Sequence, residues 1–186
     1  MTKEELRREV ARTLAALPED YCRQADRAIC RHVTQSPLFR QANTVFCYVG
    51  TAREIDTRPI LQAALAAGKV LAVPLCTGKG IMEARRIRSL EELTPGQYGI
   101  MEPVPGCPVV PPEELELALV PCCTGNADGQ RLGYGGGFYD RYLPRTSCPA
   151  VLLCRGQLLR QHIPSEDHDR AMDYLVTEAG VIAVSI

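Results

Sequence analysis

Apolar residues recur at helical spacing through the first seventeen positions. Leu6, Val10, Leu14 and Leu17 share one face, and Thr2 with Glu5 has the spacing of a capping box, so the pattern predicts a helix over 2–17. Tyr21, Ala25, Ile29 and Val33 repeat it and predict a second helix over 18–35. The period then changes. TVFCYVG (44–50), VLAVPLC (70–76), LELALVPCC (115–123) and AVLLC (150–154) are short unbroken apolar runs, the pattern of strands covered on both faces. IMEARRI (81–87) alternates more weakly, and DYLVT and VIAVSI supply the last strands. Thr57 as a cap, Pro59 in the first turn and Gly68 as a stop frame a helix, while the GKG at 78–80 reads as a hairpin turn. FYDRYL (138–143) starts a helix that must stop before Pro144, and QLLRQH (157–162) reads as a short helix. Residues 89–114, with six prolines, read as a long surface connection. Apolar strands alternating with helices predict a single domain over 1–186, a three-layer α/β/α sandwich with a mostly parallel central sheet. In such sheets ligands collect at the carboxyl ends of the strands.

Composition narrows the function. The 186 residues are 46% hydrophobic and 23% charged with a net charge of -1, so no global field favours nucleic acid or an anionic membrane. No apolar run approaches the ~20 residues of a membrane span, and the charged first turn does not resemble an export signal, which together predict a cytoplasmic protein. Nine cysteines, an odd number with no C-x-x-C pair, predict buried reduced thiols in place of a zinc site or a disulfide framework. His32, His162 and His168 have no ligand spacing; His168 stands out only because it lies among carboxylates.

The chemistry concentrates in DGQRLGYGGGFYDRY (128–142). Four glycines in five positions, Gly133, Gly135, Gly136 and Gly137, leave backbone amides bare and free to turn towards a ligand. Followed by a helix start at Phe138, they make an anion site. Arg131 adds a guanidinium for phosphate, and Asp140 a hard oxygen for Mg²⁺. A glycine-rich hairpin or surface linker would not need the flanking Arg, Tyr and Asp. The segment is neither a Walker motif, lacking G-K-[ST], nor G-x-G-x-x-G, since Phe138 occupies the last position. By themselves, Lys3 and Arg7 at i, i+4 describe a solvated helix face, and Glu54 is an ordinary polar loop residue.

The run R-L-G-Y-G-G-G-F-Y-D resembles the signature of the 5-formyltetrahydrofolate cyclo-ligases, also called methenyltetrahydrofolate synthetases. The resemblance extends along the chain through Lys3, Leu6 and Arg7, Glu54-Ile55-Asp56-Thr57, Gly99, Glu102 and Pro103, and Pro164, Asp169, Asp173 and Val176-Thr177-Glu178. The run Pro121-Cys122-Cys123-Thr124-Gly125-Asn126 departs from the family's P-G-x-x-F-D at Cys122, Gly125 and Asn126. The resemblance implies a NagB/RpiA/CoA-transferase-like fold and an ATP- and Mg²⁺-dependent cyclisation of 5-formyltetrahydrofolate to 5,10-methenyltetrahydrofolate, releasing ADP and phosphate. It implies ATP binding by Lys3, Arg7, Arg131, Leu132, Gly133, Tyr134, Gly135, Gly136, Gly137, Phe138 and Tyr139, with catalytic roles for Arg131, Tyr139 and Asp140. Folate would lie against Val49, Glu54 and Tyr134 to Phe138, and Asp140 and Asp173 would hold Mg²⁺. The implied protein is a monomer whose partners are reduced folate and ATP, with no nucleic acid and no membrane. Two other readings stay open: a paralogue acting on another amide-bearing cofactor, and a protein that binds folate or nucleotide without turnover.

Overall fold

The computed structural model describes residues 1–167 and 169–184, and only the backbone at position 98; His168 lies outside the described residues. Helix α1 (Lys3–Ala16) starts on the predicted capping box: the Thr2 hydroxyl accepts from the Glu5 amide while the Glu5 carboxylate accepts from the Thr2 amide. Helix α2 (Glu19–Gln35) ends at Ser36, whose hydroxyl caps a short α3 (Pro37–Gln41). Five residues are too few to show a hydrophobic period, so the sequence did not reveal α3. Strand β1 (Thr44–Cys47) follows. Thr57 precedes α4 (Arg58–Ala66) but does not cap it. Its hydroxyl instead donates to the Tyr48 carbonyl at 2.8 Å and accepts from the Gly50 amide at 3.1 Å, closing the loop after β1.

Strands β2 (Val70–Gly78) and β3 (Ile81–Ile87) form the predicted hairpin around Gly80, whose φ of 71° suits the turn. The proline-rich connection contains a small ribbon, β4 (Leu93–Pro95) with β5 (Met101–Pro103). Strand β6 (Leu117–Val120) is shorter than the apolar run around it. The chain leaves the sheet at Pro121 and forms a two-stranded ribbon, β7 (Thr124–Gly125) with β8 (Arg131–Leu132), before α5 (Phe138–Tyr142). Strands β9 (Ala150–Leu153), β10 (Tyr174–Thr177) and β11 (Gly180–Ala183) complete the fold. The helix expected at 157–162 is only a 3₁₀ turn over Gly156–Leu158. Its carbonyls are claimed from outside, the Leu158 carbonyl by the Thr124 hydroxyl at 2.7 Å, and six residues gain too few internal bonds to offset helix nucleation.

The seven-stranded sheet has the order β11-β10-β9-β6-β1-β2-β3, parallel throughout except for the two edge strands. Successive residues of each central strand point to opposite faces, giving two cores. Phe46, Ala118, Val120 and Leu152 meet Leu6 and Val10 of α1 and Tyr142 of α5 on one face. Val45, Leu117, Leu119 and Leu153 meet Ile29, Ile60 and Leu61 of α2 and α4 on the other. The three-layer sandwich is therefore as predicted. Among the described residues no helix is long and apolar enough to cross a membrane.

Candidate active site

Loop 133–137 joins β8 to α5 near the carboxyl ends of the parallel strands. Gly135 (φ 99°) and Gly137 (φ 73°) adopt left-handed backbone that side-chain-bearing residues avoid, which explains glycine at these two positions. The loop's carbonyls are held by guanidinium groups: Arg7 Nε donates to the Gly133 oxygen at 2.8 Å, and Arg141 Nη1 to the Gly136 and Gly80 oxygens, each at 3.4 Å. Among the described residues none of the amides of 133–137 donates to another part of the chain. With carbonyls tied back and amides unpaired, the loop has the polarity of an anion-binding concavity.

Arg131 is fixed on three sides. Its Nε donates to the Pro121 carbonyl at 2.7 Å, its guanidinium lies 4.9 Å from the centre of the Tyr139 ring, and Nη1 is 3.8 Å from Asp140 Oδ1. Its side chain is 7% exposed, whereas that of Asp140 is 49% exposed and has room for a further ligand. Tyr139 packs edge-on against Phe46 at 6.2 Å. Burial pushes its hydroxyl well above the ordinary phenol range, so it stays protonated at neutral pH.

Beside the loop, at the carboxyl ends of β1, β6 and β9, lies a cavity of ≈ 250 Å³. Val10, Leu14 and Leu158 give it apolar walls, and Tyr48, Glu54, Cys122, Cys154, Tyr134, Arg8 and Arg53 also line it. Arg7 and Tyr134 belong to both features, so cavity and loop share a wall. Burial pushes the Glu54 carboxyl above its ordinary range, although hydrogen bonds from Thr51, one from its amide to Oε1 at 3.1 Å, and the charges of Arg131 and Arg155 oppose the shift. The segment carrying Glu54 is anchored from below by Arg155, which donates to the Glu54 carbonyl at 3.1 Å and the Arg53 carbonyl at 3.3 Å. Arg155 in turn forms a double ion pair with Asp26 at 2.8 and 3.1 Å, with side chains only 6% and 13% exposed. Asp26→Ala leaves a buried guanidinium unpaired and is expected to lower the unfolding free energy by about 3–5 kcal/mol. Urea denaturation reads this directly; a loss under about 1 kcal/mol, the scale of an exposed pair, would contradict the account.

Three residues implied by the resemblance are placed elsewhere. The Leu132 side chain is core, leaving only its backbone beside the loop, and its carbonyl accepts from the Cys123 amide. Val49 is buried in the core with Ile29 and Ile60 and does not belong to the cavity lining, unlike its neighbour Tyr48. Asp173 immediately precedes β10, where its Oδ2 accepts from the Ala150 amide at 2.8 Å and from Arg170 at 3.4 Å. That is the amino edge of the sheet, whereas Arg131, the ion-pair partner of Asp140, is held by Pro121 just past the carboxyl end of β6. The carboxylate that the structure joins to the site is Asp169, whose Oδ2 lies 3.4 Å from Lys3 Nζ on the helix that carries Arg7. Lys3 thus reaches the site through its ion pairs, with Glu166 at 3.9 Å as the second partner. Arg141 and the Arg155–Asp26 pair were not singled out in the sequence; no local pattern marks contacts 61 and 129 residues apart.

The departing stretch is well supported. Asn126 Oδ1 accepts from the Asp128 and Gln130 amides, fixing the β7–β8 turn, and a side chain at Gly125 would press on Leu152. Comparison with known proteins agrees with the geometry. The model of the 5-formyltetrahydrofolate cyclo-ligase family matches residues 1–178. The chain is 31% identical over 176 residues to the 5-formyltetrahydrofolate cyclo-ligase of Escherichia coli, covering 91% of this chain and 96% of that one. It is 28% identical over 199 residues to a protein of Schizosaccharomyces pombe named as a probable 5-formyltetrahydrofolate cyclo-ligase, covering 98% of each. The NMR structure of Aquifex aeolicus 5,10-methenyltetrahydrofolate synthetase superposes with a TM-score of 0.87 at 30% identity, covering 100% of this chain and 94% of that chain.

Proposed function

The chain belongs to the 5-formyltetrahydrofolate cyclo-ligase family, and we propose that its glycine loop and adjoining cavity divide that family's reaction between them, the loop taking ATP and the cavity the reduced folate. The reaction converts 5-formyltetrahydrofolate to 5,10-methenyltetrahydrofolate using ATP. The formyl group on N5 is an amide whose oxygen leaves poorly. Phosphoryl transfer from ATP to that oxygen makes it a good leaving group; N10 then attacks the same carbon, and phosphate departs as the ring closes. Such a transfer is helped by alignment and charge stabilisation, which rigid amides and fixed guanidinium groups supply. In this reading Arg131, clamped by Pro121 and Tyr139, stabilises the transferring phosphoryl group, and Arg7 fixes the loop while facing both ligands. Glu54 accepts from paired N–H groups of the pterin. The shared wall of Arg7 and Tyr134 carries the reading, because it sets the formyl oxygen beside the phosphate.

Asp140 fits Mg²⁺, an ion that takes one or two carboxylates together with substrate phosphates and neutralises their developing charge. Asp169 suits the second position better than Asp173, being tied to Lys3 beside the loop. The nine free thiols suit the reducing cytoplasm.

Incubation with 5-formyltetrahydrofolate, ATP and Mg²⁺ should produce the longer-wavelength absorption of the methenyl product. Nucleotide binding without that change would remove the folate assignment. Glu54→Gln separates substrate binding from stability. The raised carboxyl means that the native state carries a buried charge at a cost above its own pKa, and that this cost disappears as pH falls through that value and the group protonates. The variant is therefore expected to melt at a higher temperature than the parent at pH 7, with the advantage vanishing under acid conditions, while KM for the folate rises. A lower melting temperature at pH 7 would contradict the burial argument.

A further inference from the structure

Cys122, the first departure from the family's pattern, has a partner across the sheet. Strands β6 and β9 run parallel with Ala118 opposite Ala150, Leu119 opposite Val151 and Val120 opposite Leu152. Two residues beyond the last pair of this ladder, on the two neighbouring chain segments, stand Cys122 and Cys154. Strands pair about 4.7–4.9 Å apart, and a disulfide spans roughly 4.4–6.8 Å between Cα atoms, so residues just past the end of such a pair come within reach of one another. Both side chains belong to the same core face, and both line the ≈ 250 Å³ cavity. Cys122 Sγ donates to the Leu153 carbonyl at 3.6 Å, directly before Cys154, whose own Sγ donates to the Arg155 carbonyl at 3.4 Å. A hydrogen bond with the Cys154 thiol is the largest cause holding the Cys122 proton well above the usual thiol range. All nine cysteines are free thiols, and Cys122 is half-buried, facing the cavity through which a small reagent enters.

We propose that Cys122 and Cys154 form a cross-strand dithiol in the wall of the substrate cavity, a modification site that low-molecular-weight disulfides close to an intramolecular disulfide and that trivalent arsenicals bridge. In the oxidation one protein thiol attacks the small disulfide, forming a mixed disulfide and releasing one small thiol. The other protein thiol attacks the mixed disulfide at the protein sulfur and displaces the second. Two protein thiols are oxidised, one small disulfide is reduced to two thiols, and the two protein protons end on them. Closure draws Cys122 Sγ off the Leu153 carbonyl and reshapes the wall, so it hinders the cavity. The loss of turnover rests on the folate reading of the cavity; the cross-link itself does not.

The test treats the reduced full-length chain with bis(2-hydroxyethyl) disulfide and identifies the product by peptide fragmentation in the mass spectrometer. A Cys122–Cys154 disulfide is expected, formed equally well in C123S and lost in both C122S and C154S. Cyclisation activity should fall in step with the fraction cross-linked, return with dithiothreitol, and resist the reagent in C122S and C154S relative to their own untreated rates. Saturating 5-formyltetrahydrofolate should slow the reaction by about tenfold at ten times its dissociation constant. A cross-link through Cys123 or any other cysteine, or a Cys122–Cys154 disulfide with undiminished turnover, would overturn the proposal. If the reduced protein shows no cyclisation at all, the folate reading fails, and the mapped disulfide still decides whether the dithiol exists.

Discussion

Asp140→Ala is expected to reduce kcat by a factor of about 10²–10³, the size seen when one charge-stabilising group is taken from a preorganised site. The physical reason is the exposure contrast within one ion pair. Arg131 is buried and held by three partners, whereas half of the Asp140 side chain is open and its ion-pair contact with Arg131 is as long as 3.8 Å. A carboxylate so weakly engaged contributes little to the fold, so stability should change by no more than about 1 kcal/mol, mainly through its place in the first turn of α5. The Mg²⁺ concentration for half-maximal rate should rise. Asp173→Ala should behave in the opposite way. It removes the acceptor for the Ala150 amide and costs about 1–2 kcal/mol of stability, with kcat close to the parent's. Steady-state kinetics with metal titration, beside thermal melts of both variants, reads all four quantities. A catalytic collapse in Asp173→Ala with unchanged melting would restore that residue to the metal site.

Gly135→Val should weaken nucleotide binding by about 10–100-fold, the equivalent of losing one charge-assisted hydrogen bond or more. Gly135 has φ 99°, and a Cβ there would stand 3.6 Å from Arg7 Nη1, on the side where the guanidinium meets the loop. The branched side chain thus both strains the backbone, by ~1–2 kcal/mol, and occupies space beside the bare amides. Gly68→Val is the control. Its φ of 73° imposes a comparable strain, but a Cβ there meets nothing within 4 Å, and the residue follows α4, so stability should fall while nucleotide affinity holds. Calorimetric titration with a non-hydrolysable ATP analogue separates the two. Parent-like affinity in Gly135→Val would remove the loop from the nucleotide site.

The two outcomes together also bear on the competing readings. A protein that only sequestered its ligands would lose binding in the glycine variant yet show no rate to lose in the aspartate one. The activity of the family and the intact Arg131–Asp140 segment favour turnover.

The amino-acid sequence by itself determined whatever depends on neighbours a few positions apart. The capping box of α1, the 3.6-residue period of α1 and α2, the unbroken apolar runs of the central strands and the glycines before α5 are all local signals, and each reappears where it was read. Short elements were not legible. Helix α3 and the β7–β8 ribbon hold too few residues to show a period, and the apparent helix at 157–162 yields to Thr124, 34 positions away, which takes its carbonyl. Val49 and Leu132 were implied as ligand contacts by the resemblance alone, and the two cores take their side chains. Only the tertiary structure joined Lys3 to Asp169, sent Asp173 to the far edge of the sheet and seated Arg155 on Asp26 beneath Glu54. Those choices rest on strand order and direction, and in a parallel sheet these are fixed by long crossovers whose geometry no short window of residues contains.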